Sequence, residues 1–512
     1  MNLYLFILLS FFHFFILSFI HMSSRTSGIL LHPTSLPGKY GIGSLGEEAR
    51  RFIDWLSSTG QKTWQILPLG PTDFSHSPYQ CYSAFAGNAD LIDLDELVKI
   101  GLLPVILPPT KAFPLESVDY HNVRKFREPN LHEAFLRFRE IGGFGWEDYL
   151  RFWDENSWWL EAWSLFYACR KNLKGKDWSY WEESLLKHKR EALHLYYRTY
   201  REDVEYQRFL QFFFFRQWFS LKKYANSQQV KILGDIPLYV SYDSADVWAN
   251  QDLFLLDKMR KPVVVGGVPP DYFSETGQLW GNPLFDWEKL KQRNYDWWIA
   301  RLHFNLNMFD LVRIDHFRGL ESFWAIPYGE KTAVKGEWLK ADGDALLALL
   351  QSQIGHLPII AEDLGTITSE VHHLRKKYHL PGMKVLQFAF ESDAKNEHLP
   401  HNYELDFAAY TGTHDNDTTA GWLKRVKGEE RDHLRRYFGV SGVDHWKMVR
   451  AVLGSVAKMT ILPVQDILGL DSSARMNIPG TIESNWKWRL ASLDDLQECG
   501  EKLKEMTALY GR

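Results

Sequence analysis

Leu311-Val-Arg313-Ile-Asp315-His316 begins as an apolar run and turns polar within a few residues. On a strand, residues two apart project from the same face, so Arg313 and Asp315 point the same way. A guanidinium beside a carboxylate favours the ionised form, and a carboxylate held charged suits a nucleophile better than a proton donor. An ordinary ion pair at a strand end has the same pattern, so the pair alone decides nothing. Glu362 follows Ile359, Ile360 and Ala361, surroundings that disfavour its charged form and raise its pKa. An ionised Asp opposite a protonatable Glu is the division of labour in retaining glycosidases. Asp attacks the anomeric carbon, while Glu protonates the departing oxygen and then acts as base on the incoming acceptor. That chemistry implies carboxyl groups about 5–5.5 Å apart. Asp415, preceded by His414, would hydrogen-bond sugar hydroxyls as the oxocarbenium-like state forms. Thr413-His-Asp-Asn-Asp417 also invites a metal-site reading. A hydrolytic metal barrel gathers several histidines on early strands, and here His32 stands alone near the first, so no metal is expected.

These acids need elements to hold them. Apolar runs at 28–32, 63–68, 230–237, 311–315, 358–362, 383–388, 407–411 and 459–463 read as strands. Helical patterns separate many of them, such as 47–56, 287–306 and 345–354. The alternation predicts an α/β chain folded as a (β/α)8 TIM barrel, whose active site lies at the carboxyl ends of the strands. Asp235, Asp315 and Glu362 fall at such ends, with His414 and Asp415 just beyond the seventh. That coincidence favours a functional reading over an incidental ion pair. The second and third strands are too far apart for a simple connection. A mainly helical insertion at about 115–225 is expected there, packed on the barrel, with most of its Trp and Phe residues in helix cores. Two loops, 71–83 and 265–282 (the latter within an active-site loop at about 262–285), are long and rich in turn residues. Such loops inside a compact domain are usually lids or binding segments.

At 512 residues the chain is long enough for one large domain with insertions. A formal charge of -5 leaves no basic footprint for nucleic acid. The 21 Trp, 23 Tyr and 33 Phe are abundant enough to stack on sugar rings as well as fill cores. Three distant cysteines argue for a reducing compartment without a disulfide framework. Residues 3–20 are almost wholly apolar, the length of a marginal membrane span or a signal core. No Lys or Arg precedes them and no small-x-small cleavage site follows, whereas Met22 opens globular sequence. Residues 1–22 are therefore read as an extension outside the fold, set by an upstream start codon; membrane association is expected only if that segment is retained.

From Gly28 to Arg489 the chain resembles the 4-alpha-glucanotransferases called amylomaltase or disproportionating enzyme, relatives of the alpha-amylase clan. The resemblance is carried by Leu31-His-Pro-Thr-Ser-Leu-Pro-Gly38, Ser77-Pro-Tyr-Gln80, Ser83-Ala-Phe-Ala-Gly-Asn88 and Gly234-Asp-Ile-Pro-Leu-Tyr-Val240. It continues through Gly267-Val-Pro-Pro-Asp-Tyr-Phe-Ser-Glu-Thr-Gly-Gln278, Arg313-Ile-Asp-His-Phe-Arg-Gly319 and Ala361-Glu-Asp-Leu-Gly365. Gly412-Thr-His-Asp-Asn-Asp417, Arg475-Met-Asn-Ile-Pro-Gly-Thr481 and Asn485-Trp-Lys-Trp488 complete it. The resemblance implies Asp315 as nucleophile, Glu362 as general acid/base and Asp415 as the third carboxylate. It implies that Arg313 and His414 hold the reacting sugar with Asp235 nearby. Tyr79, Trp280 and Asn485 would line glucan subsites, with Tyr272 and Phe273 on the acceptor-side loop. It further implies a cytosolic enzyme without cofactor that moves segments between alpha-1,4-glucans, and no separate C-terminal β-domain. The residues themselves leave open an amylase-type hydrolase, because the outcome depends on whether a sugar hydroxyl or water reaches the covalent intermediate.

Overall fold

The computed structural model describes residues 25–270 and 274–512. Its strands are β1 (Thr26–Leu30), β2 (Thr63–Gln65), β3 (Lys231–Ile236), β4 (Val264–Val268), β5 (Gln278–Pro283) and β6 (Leu311–Ile314). They continue with β7 (Ser322–Pro327), β8 (Glu337–Lys340), β9 (Ile359–Ala361), β10 (Gly382–Val385), β11 (Phe407–Tyr410) and β12 (Met459–Pro463). Eight of them form one parallel sheet in the order β10-β11-β12-β1-β2-β3-β6-β9, so each barrel strand lies beside the one before it in sequence. Nearly every residue of these strands is buried, as parallel strands covered on both faces must be. The sheet curls until β9 and β10 meet, where the Ala361 N–H donates to the Pro381 carbonyl at 2.8 Å. The fold is the (β/α)8 barrel expected from the alternation, and all eight apolar runs contribute a strand.

Two local expectations change. The sixth run leaves the sheet after Val385, and Leu386–Phe388 winds into a 3-10 turn. The helical pattern at 287–306 divides into Trp287–Gln292 and Asp296–Met308. Asn294 and Tyr295 between them have φ of 52° and 54°, a left-handed backbone that ends a right-handed helix.

Between β2 and β3 the long helices Tyr120–Glu140, Glu147–Asn172 and Arg201–Ser227 pack through interlocked rings. Phe138 contacts Tyr149, Phe209 and Phe213 at centroid distances of 5.7, 5.3 and 5.6 Å. Trp218 ties this layer to the barrel, donating to the Met308 carbonyl at 3.1 Å and packing edge-on against Phe309 just before β6. A small antiparallel sheet, β5-β4-β7-β8, is built from the segments that follow β3 and β6. After β12 the chain is helical and irregular, and helix Gln497–Leu509 packs back on the barrel strand region through Gln61 and Thr507, hydrogen-bonded at 2.9 Å. Among the described residues no helix is long and apolar enough to cross a membrane. The apolar stretch 3–20, Tyr272 and Phe273 lie outside the described residues.

Candidate active site

Arg313 is the centre of the site. It stands on β6 opposite Asp235 of β3 in the strand register, and its side chain is buried. One terminal nitrogen donates to Asp235 Oδ2 at 2.7 Å and the other to Asp315 Oδ1 at 2.8 Å. The Tyr79 hydroxyl, from the loop after β2, donates to the same Asp235 oxygen at 2.6 Å. Burial pulls the guanidinium down, but Asp235 and Asp315 outweigh it and hold Arg313 well above its usual range. Burial pushes Asp235 up, against the pull of Arg313. A buried cation flanked by two carboxylates is a costly arrangement in which every member depends on the others.

Glu362 is set by backbone. Ile314 and Ala361 are register partners across β6 and β9, so Asp315 and Glu362 are the next residues at the ends of adjacent strands. The Glu362 N–H donates to the Ile314 carbonyl at 3.1 Å, and its carbonyl accepts from the Phe317 N–H at 3.2 Å. Its carboxyl group accepts from the N–H groups of His316 at 2.7 Å and Leu364 at 2.9 Å. His316 reaches it because φ is 52° there, turning the chain sharply after Asp315. Burial pushes the Glu362 carboxyl up to about 8; Arg313 opposes that shift and the Asp315 charge adds to it. At neutral pH Glu362 is therefore mainly a protonated acid beside an arginine-paired aspartate.

Asp415 sits on the loop after β11, where side chains do the positioning. Asn477 donates to its Oδ1 at 2.6 Å, and Arg475 donates to its carbonyl at 2.6 Å and to the Asn477 carbonyl at 2.7 Å. The two ends of the loop are pinned by buried Asp466, which accepts from the Thr411 hydroxyl at 2.5 Å and from the Thr419 N–H and hydroxyl at 2.6 and 2.7 Å. Asp417 turns away from Asp415, accepting from Arg425 and Ser472 at 2.8 Å each. The acids of Thr413-His-Asp-Asn-Asp417 thus face different partners. Tyr79 joins the two halves of the site: its hydroxyl reaches Asp235, while its ring stacks on His414 at 5.1 Å and 15°. Trp486 packs against both rings, at 5.9 Å from Tyr79 and 5.8 Å from His414.

A family model described as 4-alpha-glucanotransferase matches residues 31–494. The chain belongs to the 4-alpha-glucanotransferase family. This transferase is 47% identical to the 4-alpha-glucanotransferase of Synechocystis sp. over 500 residues, covering 96% of this chain and 99% of that protein. It is 46% identical over 492 residues to the 4-alpha-glucanotransferase of Thermus thermophilus, covering 94% and 98% of the two chains. The structure of amylomaltase from Streptococcus agalactiae in complex with acarbose matches with a TM-score of 0.90 at 38% identity, covering 95% of this chain and 99% of that one. The chain is thus a 4-alpha-glucanotransferase, an enzyme that transfers glucan segments.

Contacts bring seven of the transferase's expected site residues into one network: Tyr79, Asp235, Arg313, Asp315, Glu362, His414 and Asp415. Trp280, on β5, stands edge-on to His316 at 4.8 Å, beside Asp315 in sequence. Asn485 is buried, and its amide is engaged in its own loop: it accepts from the Ile478 N–H at 3.0 Å and donates to the Thr481 carbonyl at 2.9 Å. It shapes the turn that presents Trp486, rather than offering a free amide. The residue pattern alone assigns no role to His316, Asn477, Arg475 or Trp486. All four lie in motifs that carry the resemblance, yet only the folded chain brings the last three to Asp415 and Tyr79.

Proposed function

We propose that this transferase works by retaining double displacement through a glycosyl ester on Asp315, with Glu362 as the acid/base. The observation that carries the reading is the pair at adjacent strand ends, an arginine-bound aspartate beside a glutamic acid with pKa pushed up to about 8. Asp315 attacks the anomeric carbon as the glycosidic bond breaks, and the Glu362 proton goes to the departing oxygen. The fragment carrying the new hydroxyl leaves. The 4-OH of an acceptor glucan or glucose then gives its proton to the Glu362 carboxylate, attacks the anomeric carbon and displaces Asp315, restoring an alpha-1,4 bond. Asp415, Arg313 and His414 hold sugar hydroxyls as positive charge builds on the ring, and Asp235 keeps Arg313 in place. Tyr79 and Trp280 line the glucan path, with Asn485 supporting it from behind.

Transfer wins over hydrolysis if an acceptor excludes water from the ester. The segment from β4 to β5, with Tyr272, Phe273 and Trp280, is the cover we assign to that task. The substrates would be alpha-1,4-glucans and maltooligosaccharides, a choice supported by the acarbose complex of the S. agalactiae amylomaltase. We assign no cofactor, metal or nucleic-acid partner to the reaction. The three cysteines are free thiols, which supports a reducing, cytoplasmic setting. Maltotriose as sole substrate tests the reaction. Glucose with a ladder of longer chains, at constant total reducing ends, is the expected product pattern. Growth of reducing ends without longer chains would make the protein an amylase-type hydrolase.

A further inference from the structure

The barrel's weakest join is the one next to Glu362. Seven neighbouring strand pairs are laddered, but among the described residues β9 and β10 are not. One backbone bond, Ala361 N–H to the Pro381 carbonyl, crosses that seam at 2.8 Å. Glu362 follows Ala361 directly. On its β6 side it is tied by its own backbone N–H and carbonyl. On the seam side, the next residue supplies the tie: Asp363 Oδ1 accepts from the Met383 N–H of β10 at 2.7 Å.

Asp363 is an unusual residue to find there. Its side chain is 1% exposed, paired at 3.0 Å with Arg375, which is 3% exposed. Arg375, on helix Ser369–Lys377, also donates to the Leu380 carbonyl at 2.9 Å and lies over the Phe407 ring of β11 at 4.7 Å. One guanidinium thus touches the end of β9, the approach to β10 and the first residue of β11. Gly382 makes room for this: a Cβ there would stand 2.6 Å from Asp363 Oδ2. Burying an ion pair costs desolvation that a well-packed apolar pair would avoid, so it is weak as a stabilising device. What it does supply is direction, because the Leu380 carbonyl and the Met383 N–H hold the two side chains against each other across the seam.

We infer that Asp363 and Arg375 are positioning residues for transfer, closing the barrel beside Glu362 and fixing the strand end that aims its carboxyl group. The inference rests on the proposed acid/base role of Glu362. With the seam closed, water is kept from the far side of Glu362 and its two backbone donors stay in register. With the seam open, the carboxyl group gains solvent and loses aim.

The test measures kcat and KM for maltotriose from about pH 5 to about pH 9, comparing Asp363→Asn and Asp363→Asn/Arg375→Gln with the parent. Asp363→Asn keeps an oxygen for the Met383 N–H. The double variant removes both charges of the Asp363–Arg375 pair, leaving Lys384 of β10 with its Glu397 partner, and carries the comparison if the single variant does not fold. The expected result is a kcat lowered by about 10- to 100-fold. KM should stay within about threefold of the parent, and the basic limb of kcat should move about one unit toward acid as Glu362 becomes hydrated. A pair that merely stabilises the barrel would lower the melting temperature and leave the folded enzyme with the parent's kcat and basic limb; that result overturns the inference. Glu362→Gln separates the two levels. If it still transfers with the parent's basic limb, the acid/base assignment itself falls. If it is inactive while Asp363→Asn keeps the parent's profile, only the seam inference falls.

Discussion

Asp315 and Glu362 stand on the barrel's strand ends, whereas Asp415 stands on a loop held by side chains. The first two extend laddered strands, and the donors on Glu362 are the N–H groups of His316 and Leu364. Asp415 depends on Asn477, and its loop depends on Asp466 at the base and Arg475 at the tip. Strand ends inherit their precision from the register of the sheet, and a side chain such as Asp363 acts on Glu362 only through the seam it closes. A loop held by side chains is as exact as its least secure contact. In the proposed mechanism the chemistry divides along a similar line, with bond making and breaking assigned to the strand ends and much of the sugar binding to the loops.

The sharpest way to break this contrast is at the strand ends. Asp315→Asn removes the proposed nucleophile and should abolish maltotriose disproportionation. Glu362→Gln removes the proposed acid and should lower the transfer rate by about 10²–10⁴-fold or more. Circular dichroism should show both folded, because the backbone contacts persist. A near-parental rate in either variant would sink the assigned roles. On the loop side, Asn477→Ala should cost less. It leaves the Asp415 charge in place but frees its carboxylate from the 2.6 Å contact, and a misplacement near 1 Å is worth about 100-fold at most. A loss as large as that of Glu362→Gln would mean that the loop carboxylate is as central to bond cleavage as the strand pair.

The same contrast explains what can be read from the chain alone. Apolar runs ending in Asp235, Asp315 and Glu362 reveal barrel and acids together, because burial on both faces forces continuous hydrophobic strands and strand ends are where their chemistry emerges. The spacing of Arg313 and Asp315 foreshadows a contact that the structure has at 2.8 Å. The partners of Asp415 have no such pattern. Asn477 is 62 residues away and reaches it only through a turn after β12. Resemblance places Asn485 at a subsite, but its engagement with Ile478 and Thr481 is a matter of turn geometry that spacing does not reveal. The break at Asn294 and Tyr295 is hidden for a related reason: apolar periodicity continues across it while the backbone reverses hand.

The strand-end carboxyl also links activity to stability. Glu362 is raised to about 8 in the folded chain, with burial the main cause, from an ordinary value of 4.5. The folded state therefore holds a proton that the unfolded state has lost over that window, and stability falls as pH rises through it. Transfer should decline above about pH 8 as the acid ionises. Glu362→Gln removes the penalty, so its melting temperature should exceed the parent's by more at pH near 8 than at pH near 4.5. Equal gaps at both pH values would mean that burial does not perturb this group.

The smallest effect expected is at Asp466, which is buried at the base of the loop. It is 1% exposed, and burial pushes its pKa up while the Thr411 and Thr419 donors pull it back. Asp466→Asn keeps one oxygen for these donors but sets an NH2 group against another. Losing a buried acceptor of this kind costs about 1–3 kcal/mol, which urea unfolding should register. The loop would keep Asn477, Arg475 and Asp417 with its Arg425 and Ser472 donors. Transfer should then fall only severalfold, more in KM than in kcat, because sugar binding is shared among several loop contacts. An unchanged KM with a sharply lower kcat would place Asp466 in command of the catalytic step. The line between strand-held chemistry and loop-held binding would then have to be redrawn through the base of β11.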